Sequence, residues 1–241
     1  MLFDSIENKE KILEKFLEIA AIDGWNKESL IKAVESCKIK KEFCDLIFEN
    51  GLFDLNDFYI NSYNQKSLEL AGNLDGKKIR EKITALLFAR FQVEKNHKLA
   101  LQRLINFYLN PKNFLSLEIG PRPLFYSLKD CFKISDFMWK SINDSSTDFN
   151  FYSKRLTLAK IIFRSLFIFV KDNSENQEKT RDFINSEIEK IMKFEKFKSQ
   201  TKASLAKHKK EICEFAFDKN GLLKSPKDLI KSLPFIRLIN W

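Results

Sequence analysis

Two histidines, His97 and His208, limit the chemistry open to this chain. Glu94-x-x-His97 has the carboxylate–histidine spacing of di-iron helix bundles, where one helical turn brings both ligands to the same face. Such a site needs a second copy of the motif and two further carboxylates. His208 has Leu205 where its glutamate would stand, so the second copy is missing. His97 is therefore expected in a turn before a helix that begins at Lys98. There is no glycine-rich phosphate loop and no nucleophile elbow. Cys37, Cys44, Cys131 and Cys213 form no Cys-x-x-Cys pair and read as reduced thiols, not as a disulfide framework. The most concentrated group of charges near aromatics is Asp148, Lys154 and Arg155, spread around Phe151 and Tyr152. Its chemistry is that of an ion pair fixing a helix start. The chain is expected not to be an enzyme and to need no cofactor and no metal.

Those residues must be positioned by helices. Six glycines and five prolines in 241 residues, with few alternating strand patterns, leave a chain that is mostly helical. Apolar spacing of three and four marks about ten helices. They are expected near residues 9–22, 28–37, 41–49, 55–71, 77–94, 98–109, 124–142, 149–170 and 178–197, with a last one in the tail. Asp23-Gly24 ends the first and Asn50-Gly51 the third. Thr147 or Asp148 can cap the helix that carries Phe151 and Tyr152. Its run Leu156–Val170 is apolar apart from Lys160 and Arg164, which lie four apart on one face. It is shorter than the roughly 20 apolar residues a membrane span needs. The organisation expected is 1–55 as a helix-turn-helix-like head, 56–217 as a helical ligand-binding body and 218–241 as an amphipathic tail.

Composition narrows the partners. With 44% hydrophobic residues and 24 phenylalanines, the body can hold an apolar core and a cavity between helices. The net charge of +9 favours anionic surfaces without choosing among them. In the head, residues 41–49 stand where a recognition helix would, but Glu42, Asp45 and Glu49 would be repelled by phosphates. No specific nucleic-acid binding is expected. Between Lys193 and Lys210, seven lysines face one glutamate, the pattern of a solvated helix face or an acidic-surface contact.

The tail carries its own signal. Ser225, Pro226 and Asp228 make a helix start. Leu229, Ile230, Leu233 and Trp241 supply an apolar face, and Lys227, Lys231 and Arg237 supply cations, which together suit an anionic membrane interface. The first residues, Met1 to Glu7, are acidic and lack a basic start before an apolar core, so no targeting leader is expected. The location expected is the bacterial cytoplasm, peripherally associated with the inner membrane.

The segment Asp148-Phe149-Asn150-Phe151-Tyr152-Ser153-Lys154-Arg155, with Leu158 three residues on, also carries a resemblance. So do Asp144-x-Ser146-x-Asp148, Ile79-Arg80-Glu81-Lys82-Ile83 with Ala89-Arg90, and Asp23-Gly24-Trp25. In this order they resemble the Coq-nine family of ubiquinone-biosynthesis accessory proteins, lipid binders with a TetR-like fold. The resemblance implies an all-α, TetR-like protein with a degenerate head and a larger lipid-binding body. It implies binding of an isoprenoid or quinone-like lipid and its presentation to the demethoxyubiquinone hydroxylase. It implies a homodimer, and a C-terminal amphipathic helix that docks on membrane. The patch for the partner at the mouth of the lipid site would be Asp148, Asn150, Phe151, Tyr152, Lys154 and Arg155. Phe151 stands where the family usually has tryptophan, which keeps bulk and loses the indole N–H. The alternative, suggested by the head, is a TetR-family transcriptional regulator with an apolar effector pocket.

Overall fold

Several helices begin or end where a short polar residue or glycine lets the chain turn. The computed structural model describes residues 5–109 and 123–200, and these are all-helical. In chain order the α-helices are α1 (Ile6–Asp23), α2 (Lys27–Ser36), α3 (Cys44–Ile47), α4 (Leu52–Ala71), α5 (Ile79–Glu94), α6 (Lys98–Leu109), α7 (Pro123–Ser141), α8 (Asp148–Phe169) and α9 (Glu178–Gln200). Ser5 caps α1 by accepting from the Asn8 N–H at 3.2 Å, and Asn26 caps α2 by accepting from the Ser29 N–H at 2.9 Å. Gly51 joins α3 to α4 at φ +57°, a backbone angle that any side chain would strain.

The head begins as expected and then departs from the expectation. The helix expected over residues 41–49 is a single 3-10 turn, Lys41–Phe43, followed by the four-residue α3. Cys44, Ile47 and Phe48 are buried beneath it, so the segment is anchored by its apolar side. One turn of helix cannot lay a row of side chains along a DNA groove. The head therefore contributes packing. Trp25 is 4% exposed and meets Phe16 edge-on at 4.7 Å and Tyr59 of α4 at 6.3 Å. The buried apolar cluster runs without a break from Ile12 in α1 to Ile184 in α9, straight through residue 55.

In the body, α4 pairs with α5 and α7 pairs with α8, while α6 packs on both α1 and α7. α9 covers α8 and α5. The α8–α9 junction is organised by one side chain. Asp172, 2% exposed, accepts from the Ser174 N–H at 2.9 Å, the Thr180 N–H at 2.8 Å and the Thr180 hydroxyl at 2.6 Å. Burial alone pushes this carboxyl up, but the bonds from Ser174 and Thr180 outweigh it and hold it well below the ordinary carboxylate range. No helix among the described residues is long and apolar enough to cross a membrane. Replacing Asp172 with alanine strips several buried donors of their acceptor and is expected to cost about 2 kcal/mol. Thermal or urea unfolding checks this, and a loss below 0.5 kcal/mol, the scatter of surface substitutions at about that size, would contradict the role.

Candidate functional site

Five helices converge on one cavity. Its wall takes Ile60 from α4, Leu101 and Leu104 from α6, Ile134 from α7, and Phe163 and Phe167 from α8. Its volume is about 60 Å³, and its exposed surface is almost wholly apolar. α5 contributes Arg90 and Glu94. Asn56, Tyr59, Tyr108 and Asp130 complete a polar group behind that wall.

The polar group is two hydrogen-bonded sets. In the first, the Arg90 Nε donates to Glu94 Oε1 at 2.6 Å, and the same oxygen accepts from the Tyr59 hydroxyl at 2.6 Å. Another Arg90 nitrogen donates to Asn64 Oδ1 at 2.9 Å and to the Ile60 carbonyl at 3.2 Å. The guanidinium also faces the rings of Tyr59 and Tyr63, at 5.4 and 5.8 Å. Burial and the nearby Glu94 charge push the Tyr59 hydroxyl well above its ordinary range, so it stays a donor. In the second set, Asp130 Oδ2 accepts from Asn56 Nδ2 at 2.7 Å and from the Tyr108 hydroxyl at 2.8 Å. Burial pushes the Asp130 carboxyl up to about 6, although the bonds from Tyr108 and Asn56 oppose the shift. Asn56 Oδ1, Glu94 Oε2 and Asp130 Oδ1 are buried and have no hydrogen-bond partner among the described residues.

The start of α8 is the second feature. Asn150 is exposed and Tyr152 is 54% exposed, whereas Phe151 is half-buried with its ring edge-on to Tyr152 at 5.1 Å. Arg155 lies 1% exposed. Its Nε donates to Asp136 at 2.6 Å, and another nitrogen donates to Asp144 at 3.2 Å and to the Phe151 carbonyl at 3.2 Å. Its guanidinium sits 3.5 Å from the centre of the Phe151 ring. Lys154 donates to Asp144 at 2.7 Å and lies 5.0 Å from the Trp139 ring. Burial raises the Asp144 carboxyl, but bonds from Lys154, Ser146 and Arg155 win and bring it down to about 2. Beside these charges lies an open hollow of about 280 Å³, walled by Ile79, Trp139, Asp144 and Lys154. The cavity wall at Phe163 lies eleven residues further along α8 than Tyr152, roughly 16 Å along the helix axis.

The structure thus sorts the residues named from sequence. Asn150, Phe151, Tyr152 and Lys154 come together at one surface. Arg155, expected in the same patch, lies buried beneath them as an ion-pair hub that holds Asp136 and Asp144. The side chain of Asp148 and the tail residues Lys227, Leu229, Ile230, Lys231, Leu233, Arg237 and Trp241 lie outside what the structure describes. Glu94 and His97 do not converge. Glu94 serves Arg90 and Tyr59, while His97 Nε2 lies 3.3 Å from Glu14 and its ring meets Tyr63 edge-on. The bond to His97, together with Lys66, brings the Glu14 carboxyl down to about 2 against burial. Sequence reasoning missed Asn56, Tyr59, Tyr108 and Asp130. Their signal was faint: polar residues recurring on the apolar stripes of three helices.

Comparison with known proteins fits this arrangement. The COQ9 family model matches residues 125–195, from α7 to α9, and so includes the start of α8 and the part of the cavity wall that α7 and α8 supply. Among curated proteins, the "Ubiquinone biosynthesis protein COQ9, mitochondrial" of Homo sapiens is 25% identical over 198 residues, covering 81% of this chain and 61% of that protein. Its Rattus norvegicus counterpart is 26% identical, covering 81% and 62%. The "Probable ubiquinone biosynthesis protein coq9, mitochondrial" of Dictyostelium discoideum is 22% identical, covering 80% and 62%. Over residues 125–195 the chain is thus similar to the COQ9 family, and over about 80% of its length to these COQ9 proteins. It spans 61–62% of the length of these relatives. Among solved structures, a TetR transcriptional regulator from Nitrosomonas europaea is similar with a TM-score of 0.56 at 16% identity, covering 75% of this chain and 95% of that one. That likeness shows a TetR-like fold. The COQ9 relatives also correct the expected location. All three are named mitochondrial, which points to mitochondria and not to a bacterial cytoplasm.

Two outcomes follow from the charges of these two sites. Replacing Arg155 with methionine leaves Asp144 with Lys154 and Asp136 with Lys140 as their remaining cations, removes the buried hub between them, and is expected to cost about 3 kcal/mol. Tyr152→Ala is expected to stay within about 0.5 kcal/mol. Equal losses in chemical denaturation would contradict the division between hub and surface. Asp130 gives a pH signature. Its folded value of about 6 exceeds the ordinary 3.8, so the folded state holds the proton more tightly. Its contribution is therefore greatest below about pH 4 and is lost as pH rises through about 6, by about 3 kcal/mol. Asp130→Asn is expected to flatten the fall in stability between those pH values, and a variant that falls as steeply as the wild type would contradict this.

Proposed function

We propose that this chain is a lipid-binding accessory factor in ubiquinone biosynthesis. It holds the apolar part of an isoprenoid or quinone-like lipid in the cavity between α4 and α8 and presents it to the demethoxyubiquinone hydroxylase. The observation that carries this reading is the cavity itself. Five helices line a partly open apolar space. Natural interiors are packed to crystal density, and a void among phenylalanines and leucines costs stability unless something fills it. The relatives named as ubiquinone-biosynthesis proteins supply the pathway.

At about 60 Å³ the space takes only the end of such a lipid without rearrangement. Benzene already needs a cavity of about 150 Å³. Filling it further requires its wall to part. The exposed Asn150 and Tyr152, on the same helix as Phe163 and Phe167, are the surface offered to the hydroxylase, with Phe151 and Lys154 supporting them. Because the partner does the chemistry, the role proposed here is accessory. A homodimer through α8 and α9 and a peripheral membrane contact through residues 222–241 complete the reading.

Native mass spectrometry of the gently extracted full chain tests it. The wild type is expected to carry a co-purified lipid mass. Leu104→Phe narrows the cavity, is expected to cost about 1–3 kcal/mol, and should carry little of that lipid. A wild type that carries no lipid, or a folded Leu104→Phe protein that carries as much as the wild type, would contradict the reading.

A further inference from the structure

The three orphaned oxygens give the cavity a preference of its own. Asn56 Oδ1, Glu94 Oε2 and Asp130 Oδ1 come from three different helices, α4, α5 and α7, yet all three residues border the same space. The residues are 5%, 2% and 8% exposed. Every one of these atoms is a hydrogen-bond acceptor while both carboxyls are ionised. The donors nearby are already engaged. Arg90 is held by Glu94, Asn64 and the Ile60 carbonyl, Tyr59 by Glu94, and Tyr108 and Asn56 Nδ2 by Asp130 Oδ2. Three acceptor oxygens are thus left over beside donor atoms that each already serve another acceptor.

From this, we propose that the cavity selects lipids whose head carries a hydroxyl hydrogen, as an alcohol or a phenol does, over heads that only accept hydrogen bonds, as ethers and quinones do. The inference rests on the lipid-binding reading and names the head group that reading leaves open. The oxygens sit behind the apolar wall of the cavity, buried from bulk solvent. A chain that enters must spread that wall, because the space is smaller than a ring. The same widening brings its polar end to these oxygens. A hydroxyl then supplies the missing hydrogen, whereas an acceptor-only head meets like partial charges and leaves both sides unpaired. Sites built to hydrogen-bond a hydroxyl reject analogues that lack it far more strongly than apolar pockets reject size changes. Asp130 can also take up a proton near its value of about 6, so the preference is expected to weaken at low pH.

The experiment measures equilibrium binding of four probes of equal chain length to the full chain at pH 7.5: farnesol, farnesyl methyl ether, a farnesylated phenol and a farnesylated quinone. Farnesol is expected to bind at least about tenfold tighter than its methyl ether, the size of one unpaired buried group. The phenol is expected to bind at least about tenfold tighter than the quinone. Whichever of farnesol and the phenol binds more tightly identifies an isoprenoid alcohol or a prenylated ring as the source. Asp130→Asn, which places donor hydrogens where an acceptor stood, should reduce the farnesol-to-ether ratio below about threefold while its melting curve stays cooperative. Measurable but equal binding of farnesol and its ether overturns the head-group preference and leaves the lipid-binding reading standing. Failure of all four probes to bind overturns both.

Discussion

A guanidinium sealed inside a helical body must find every partner where it lies, and Arg90 sets that constraint here. At 2% exposure it cannot reach water. Leaving it or Glu94 unpaired would cost several kcal/mol, about 3–5 for a broken buried pair. Its satisfaction fixes α5 against α4 through Asn64 and the Ile60 carbonyl, and fixes Tyr59 through Glu94. Tyr59 in turn meets Trp25, which meets Phe16. One charge thus ties the head to the body, which is why the apolar core passes through the head–body junction without a seam. The same arrangement turns polar groups toward the centre of the bundle, where apolar side chains alone would have packed to closure.

Arg155 repeats the device near the start of α8. It binds α8 to α7 through Asp136 and to the preceding loop through Asp144, and its face supports Phe151. The consequence is a division of labour along α8. Its first turns hold a rigid, partly exposed aromatic surface, and its later turns wall the cavity. A long helix is stiff, so whatever spreads the cavity wall at Phe163 bears on the same element that displays Tyr152.

Much of this was legible in the sequence. Helix boundaries followed from apolar spacing and from punctuation such as Asp23-Gly24, and α6 begins at Lys98 as the spacing required. The TetR-like all-α fold and the COQ9 resemblance were carried by the segment around Asp144 to Leu158. What was not legible is instructive. The stretch 41–49 has helical spacing, but burying Cys44, Ile47 and Phe48 together against α1 and α2 breaks it into a 3-10 turn and one α-turn, a tertiary override of local preference. Arg155 looked like a surface cation because it neighbours Lys154. Adjacent helix residues point about 100° apart, so one faces solvent and the other the interior. The cavity's polar group was hidden because Asn56, Glu94, Tyr108 and Asp130 are far apart in sequence and each looks ordinary alone. Glu94 had been weighed beside His97, its neighbour on the chain, when its true partners were Arg90 and Tyr59.

The central claim is that an apolar lipid occupies the space between α4 and α8. Photo-crosslinking of a diazirine-bearing prenyl probe to the full chain, with the modified residues read by peptide mass spectrometry, tests it most directly. The account predicts labelling at Leu104, Ile134 and Phe163, lost when unlabelled lipid competes. Competable labelling confined to the surface hollow at Trp139, or to residues 201–241, with none in the cavity wall, would contradict it.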